Sequence, residues 1–230
     1  MPELDRHAHV LLVCRANVCR SALGEFVATQ QLSDAGFAVS SAGTDAVTGQ
    51  PLCREVESHI SSRPGGSDFA DRHRAKPLSA AQLHRADLVL TASPRESSLV
   101  ALSQPALRDR TFTLIEADRL LSTLPTTTPA ATLAELVQAL HRRRWQAATE
   151  NWPQGHWARE HLDRRRPATG LALRDAHVGN STSHPRLLPY TRRLVMDVCA
   201  AVTAHLGIDS AVDEATDPPL LRTAPSDVRS

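Results

Sequence analysis

The feature that most constrains this chain is a junction near its N-terminal end. A short apolar run, His9 to Val13, is bounded by polar residues and passes directly into Cys14-Arg15-Ala16-Asn17-Val18-Cys19-Arg20-Ser21. Such a run reads as a strand buried on both faces, as in a parallel sheet, because one solvated face would show polar alternation. From Ser21 the apolar positions Leu23, Phe26, Val27 and Leu32 recur at helical spacing, and Gly36 is expected to cap the helix. Strand, tight loop and helix form the opening unit.

The same alternation continues along the chain. Phe37 to Val39 reads as a second strand running into a turn at Gly43, and Leu52 to Ile60 as a helix. Ser79 to Leu83 reads as a short helix, Asp87 to Thr91 as a third strand and Thr111 to Leu114 as a fourth. Alternating strands and helices with right-handed crossovers predict an α/β fold. The expected architecture has three layers, with a four-stranded parallel sheet, helices on both faces and the Cys14 loop between the first strand and first helix.

Beyond Leu121 the composition changes. Ser122 to Thr132 is rich in Thr and Pro, Leu133 to Arg144 reads as a helix, and Trp145, Trp152 and Trp157 follow in an Arg-rich stretch. Residues 122–170 are expected to be a helical insert in a single domain spanning 1–206. A last helix is expected from Arg186 to Leu206, and 207–230, rich in small, acidic and Pro residues, is expected to be a disordered tail.

Over 230 residues, 26 basic side chains face 25 acidic ones, a net charge of +1 that offers nucleic acid no polycationic surface. Interleaved Arg and Trp in the insert would suit single strands, but the local charge excess is small and nucleic acid is not favoured as a partner. No apolar run is long enough for a membrane helix or a signal-peptide core, so a cytoplasmic protein without a membrane partner is expected. Cys14, Cys19, Cys53 and Cys199 are then expected to be thiols. The basic residues are 25 Arg and a single Lys, Lys76, a usage suggestive of a GC-rich bacterial source.

The spacing of Cys14 and Arg20 is not specific by itself in so Arg-rich a chain. Its position supplies the meaning. A loop closing onto a helix N-terminus aims backbone N–H groups and the positive end of the helix dipole inward, which makes a dianion site and stabilises a thiolate. Cys14 is therefore the candidate nucleophile. Residues Arg15, Ala16, Asn17, Val18, Cys19, Arg20 and Ser21 are the candidate phosphate cradle. Arg20 offers a fork for two phosphoryl oxygens, Ser21 a hydrogen bond to the sulfur, and Asn17 a tolerance of left-handed backbone.

These residues resemble the signature of the low-molecular-weight protein tyrosine phosphatases, V-C-x-x-N-x-C-R-S between a strand and a helix, here LLVCRANVCRS. SAGTDAVTGQP (Ser41 to Pro51), HRAKPLS (His73 to Ser79), ADLVLT (Ala86 to Thr91) and TFTLIEADRLL (Thr111 to Leu121) resemble further family segments in the family's order. The resemblance covers 9–121 and 171–206, and departs from the pattern at Ala16, usually Gly, and Ala22, usually Pro.

It implies hydrolysis of aryl phosphate monoesters on phosphotyrosine proteins through a phosphocysteine, without a cofactor. A bacterial tyrosine kinase is the implied partner, and phosphate or sulfate the implied small ligand. No metal is expected, since Arg20 and the loop amides neutralise the charge and the 11 His show no clustering with Cys at ligand spacing.

The resemblance also implies a general acid on a loop before the last helix, normally an Asp-Pro. Asp175, in LALRDAH, keeps the carboxyl without the Pro and is favoured. His184-Pro185 keeps the Pro and is the runner-up, and Asp217-Pro218 falls in the expected tail. Cys19 is either a reversible redox partner of Cys14, as the resemblance implies, or a structural thiol. Val18 is apolar, as in family members acting on phosphotyrosine, whereas relatives acting on phosphoarginine carry Thr. No aromatic residue occurs in Asp45 to Gly49, where many members have one. Arg15 could attract acidic flanks of a phosphosite or be merely solvated. Two other readings stay open: an arsenate reductase, which would need Cys53 or Cys199 as a thiol relay, and a phosphoprotein-binding pseudophosphatase.

Overall fold

In a computed structural model, residues 7–125, 130–149, 168–177 and 184–208 are described. Trp152, Trp157, Asp217 and all but the first two residues of the tail expected at 207–230 lie outside the described residues.

Strand β1 (His9–Cys14) sits centrally between β2 (Ala38–Gly43) and β3 (Leu88–Thr91), with β4 (Thr111–Thr113) beyond β3. All pairings are parallel, in the order β2-β1-β3-β4. The side chains of β1 alternate between two cores. Val10, Leu12 and Cys14 face one, and Leu11 and Val13 the other. Both faces are thus covered, the three-layer arrangement that an uninterrupted apolar strand requires.

Helix α1 (Arg20–Leu32), α6 (Leu114–Leu121) and the last helix, α8 (His184–His205), contribute to the first core. Leu83 of α4 (Ala80–Arg85) and Val100 of α5 (Pro94–Ser103) contribute to the second. Two short helices, α2 (Arg54–Ile60) and α3 (Gly66–Arg72), follow β2, and α7 (Leu133–Thr149) precedes a two-residue hairpin of β5 (Ala168–Thr169) and β6 (Ala172–Leu173). Among the described residues no helix is long and apolar enough to cross a membrane.

Several boundaries differ from the sequence expectations. β2 runs on through Ser40 and Ser41 to Gly43, because these polar side chains have partners: Ser40 meets His9 and Ser41 enters a buried network. α3, α5, α6 and the β5–β6 hairpin were not expected. α5 begins with Ser93 as cap and Pro94 in its first turn, and α6 with a Thr113/Glu116 capping box.

The described part of the expected insert shares the main core. Leu133, Leu136, Val137 and Leu140 of α7 are buried there. Its Arg144 lies 4.0 Å from the Phe112 ring, donates to Thr111 O at 2.6 Å and pairs with Glu116 at 2.7 Å, fixing α7 to the sheet edge. Trp145 is exposed, edge-on to His141. Tyr190 of α8 is 37% exposed.

Candidate active site

The Cys14 loop is built on the register of β1 and β2. Cys14 pairs with Gly43, Thr44 N donates to Cys14 O at 3.0 Å, and Asp45 N donates to Arg15 O at 2.8 Å. A Cβ on Gly43 would lie 2.6 Å from Arg15 O and 2.9 Å from the Ala16 carbonyl carbon, so only glycine lets the loop cross here. Among the described residues other than glycine, Asn17 alone has a positive φ, +56°. Asn is a residue that tolerates this conformation, and its side chain pays back the strain with hydrogen bonds.

Those bonds form a polar network behind the loop. Asn17 Nδ2 donates to Ser21 Oγ at 3.0 Å and to Ser41 Oγ at 2.7 Å, and Asn17 Oδ1 accepts from Lys76 N at 2.9 Å. Ser41 Oγ donates to Glu25 Oε2 at 2.6 Å. His73 Nε2 lies 2.8 Å from Asn17 O; a carbonyl only accepts, so this nitrogen carries the proton. With Asn17 donating into its oxygen, Ser21 turns its own hydroxyl hydrogen to Cys14 Sγ at 3.0 Å. Asn17 N adds a second, longer contact at 3.4 Å. The sulfur thus accepts from one hydroxyl and one backbone amide of its own loop.

Arg20 is the first residue of α1 and is 4% exposed. Its Nη1 donates to Leu173 O at 3.2 Å, and its Nη2 pairs with Asp175 Oδ2 at 2.8 Å. Leu173 N in turn donates to Ala92 O just beyond β3, which docks this loop against the sheet. Asp175 Oδ1 accepts from His177 N at 3.0 Å. The loop before α8 thus brings Asp175 to Arg20. His184, the other candidate acid, meets a different partner: its Nε2 is 3.4 Å from His177 Nε2.

The remaining candidates fall in three settings. Arg15 is exposed and pairs with Asp45 at 3.2 Å. Ala16 is half-buried, while Val18 and Cys19 are buried. Val18 O accepts from Cys53 N at 3.0 Å, which sets the start of α2 against the loop.

All four cysteines are free thiols, and Cys199 is buried in the core, where desolvation pushes its thiol up to about 12. Cys53 lies beside the phosphate loop, its N donating to Val18 O. A hydrogen bond from Cys19, opposed by burial but helped by Val56 N–H and His177, lowers Cys53 to about 6. Cys19 is pushed up by the same bond and by burial.

The expectation that no His and Cys cluster at ligand spacing also needs correction. Cys19, Cys53, His177 and His184 each bring a donor atom to one place, all within 4.8 Å of one another. Sequence spacing missed this group because its members come from three separate segments. The one local signal was a pair of histidines bracketing the loop between Asp175 and the last helix.

A parallel α/β sheet whose first strand ends in a cysteine, under a loop closed by an arginine at a helix N-terminus, defines a cysteine-dependent phosphatase class. Residues 9–119 match the family described as "Low molecular weight phosphotyrosine protein phosphatase". The chain is 32% identical over 113 residues to the probable low molecular weight protein-tyrosine-phosphatase EpsP of Ralstonia nicotianae, covering 48% of this chain and 72% of that one. It is 28% identical over 106 residues to the low molecular weight protein-tyrosine-phosphatase Ptp of Acinetobacter johnsonii, covering 46% and 71%. In fold it is similar to the tyrosine phosphatase Wzb from Escherichia coli K30, solved with phosphate, with a TM-score of 0.52 at 14% identity, covering 89% of this chain and 97% of Wzb. The chain belongs to the low molecular weight phosphotyrosine protein phosphatase family. Asp175 lies beyond the matched segment, so its place in the site rests on its contact with Arg20.

Proposed function

We propose that this chain hydrolyses phosphotyrosine in proteins, with Cys14 as nucleophile, Arg20 as phosphoryl clamp and Asp175 as general acid and base. The observation that carries the proposal is the sulfur of Cys14 held as an acceptor by Ser21 Oγ and Asn17 N, with a buried guanidinium closing the same loop.

In this mechanism a phosphoryl dianion enters the loop and takes over the Arg20 fork from Asp175. The released carboxyl, now beside the bridging oxygen, is the group placed to carry and give a proton. Cys14 Sγ attacks phosphorus in line, the P–O bond breaks, and Asp175 protonates the departing phenolate. Water then attacks the phosphocysteine, its proton passing to the same carboxylate, the P–S bond breaks with the electron pair returning to Cys14 Sγ, and inorganic phosphate leaves. The loop amides and Arg20 hold the equatorial oxygens throughout. Asp175 is favoured over His184 because its carboxylate is paired with Arg20.

Family membership and apolar Val18 support an aryl ester as substrate. In the 45–49 segment, which carries no ring, Val47 is 68% exposed. Relatives named protein-tyrosine-phosphatases support a phosphotyrosine protein as partner. The burial of α7 in the main core supports reading 1–206 as one domain.

The test is release of phosphate from p-nitrophenyl phosphate and from a phosphotyrosine peptide by wild type and Cys14→Ser. Turnover by wild type, lost in the variant, is expected. Tight phosphate binding without wild-type turnover would instead favour the pseudophosphatase reading.

A further inference from the structure

Beside the phosphate loop lies a second cluster, whose side chains the proposed mechanism does not use. Cys19 comes from the loop itself, Cys53 from the start of α2, His177 from the loop bearing Asp175, and His184 from the start of α8. Their donor atoms all lie within 4.8 Å of one another. The two imidazoles meet nearly at right angles with centroids 4.8 Å apart, and their Nε2 atoms are 3.4 Å apart.

Two sulfurs and two imidazole nitrogens form a donor set for a borderline-soft cation with tetrahedral preference. Oxygen-seeking Mg2+ and Ca2+ are poorly served by it. With Zn–N of about 2.0–2.1 Å and Zn–S of about 2.3 Å, tetrahedral ligands stand about 3.3–3.8 Å apart. The Nε2 pair already has that separation, and the widest pair in the cluster needs to close by only about 1 Å. Access exists as well, since His184 lines a surface cleft with Arg54, Glu55, Ser58 and His59.

We propose that Cys19, Cys53, His177 and His184 form a Zn2+ site that staples the Asp175 loop to the phosphate loop. The two thiols give up their protons to solvent as the metal binds, and two thiolates with two neutral imidazoles leave a complex of zero net charge. Because Cys19 adjoins Arg20 and His177 lies two residues from Asp175, the bound metal fixes the geometry across which Arg20 and Asp175 meet. This site goes beyond the phosphatase reading, and metal binding does not depend on turnover.

The full chain, reduced and stripped with a chelator, is titrated with Co2+ as a spectroscopic probe and then with Zn2+. One equivalent of Co2+ is expected to give thiolate-to-cobalt charge transfer with tetrahedral d–d bands, and Zn2+ to abolish both. Cys53→Ser and His177→Ala, each checked for folding by circular dichroism, are expected to weaken Zn2+ at least about 100-fold, since loss of even an outer-sphere partner costs 10–100-fold. Cys14→Ser is expected to bind normally. Amide exchange across 174–177 is expected to slow at least tenfold with Zn2+. Absence of the thiolate band, its loss in Cys14→Ser, or unchanged affinity in both Cys53→Ser and His177→Ala overturns the proposal. So does recovery of Cys19 and Cys53 as a disulfide in stripped protein that takes up no metal.

Discussion

The guanidinium of Arg20 and the carboxylate of Asp175 meet at 2.8 Å, both largely shielded from solvent. One residue closes the phosphate loop and the other comes from the loop before the last helix. Their pairing ties the two loops together. A buried cation without a partner would cost several kcal/mol, so removal of Asp175 affects more than proton transfer. Asp175→Ala is expected to weaken folding by about 1–3 kcal/mol in urea titration, whereas added phosphate recovers part of that loss by occupying Arg20.

Asn17 holds the loop from within. Replacing it by Ala strands Ser41, Ser21 and Lys76 N without their amide partner and places a residue poorly suited to positive φ at +56°. A loss of about 2–4 kcal/mol is expected, together with a fall in kcat, because Ser21 is then no longer oriented toward Cys14. Urea titration and steady-state kinetics on Asn17→Ala check both.

Arg144 acts on stability alone. It spans α7, Glu116, Thr111 O and the Phe112 ring at the sheet edge, on the β4 side. Arg144→Ala is expected to lower stability by about 1–3 kcal/mol with kcat/KM unchanged, measured by thermal melting beside a turnover assay.

Cys199 gives a pH dependence with a defined sign. Burial raises its folded value to about 12 from an ordinary 9.0. The neutral thiol therefore contributes stability that is fully present below pH 9 and falls as pH rises toward 12, as the unfolded chain ionises first. Wild type is expected to lose more stability between pH 9 and 11 than Cys199→Ala does. Parallel denaturant titrations measure the difference.

Val47 tests whether the 45–49 segment, whose Asp45 N donates to Arg15 O, meets substrate. Val47→Asp is expected to raise KM for p-nitrophenyl phosphate several-fold, with kcat changed less than twofold, because uniform binding is removed rather than transition-state contact. Steady-state kinetics would show it.

What could be read from the sequence was what is local. The strand from His9, the loop and α1 are contiguous, and apolar periodicity with a helix-terminal anion motif expresses their physics directly. Ser40 and Ser41 hid the length of β2, since polar residues in a strand make sense only once His9 and Asn17 are known to face them. α5 and α6 carry their own cap signals at Ser93 and Thr113. The Arg20–Asp175 pair and the Cys19, Cys53, His177 and His184 group are products of chain crossing. No spacing rule joins residues brought together by a sheet, and the contact of Asp175 with Arg20 is visible only in the fold.

The most direct test of the central claim is the leaving-group dependence of kcat for a series of aryl phosphates, in wild type and Asp175→Asn. The account predicts little dependence in wild type, because the departing oxygen is protonated, and a steep dependence in the variant, with poor leaving groups slowed about 100-fold or more. Equal slopes in the two proteins would contradict the role of Asp175.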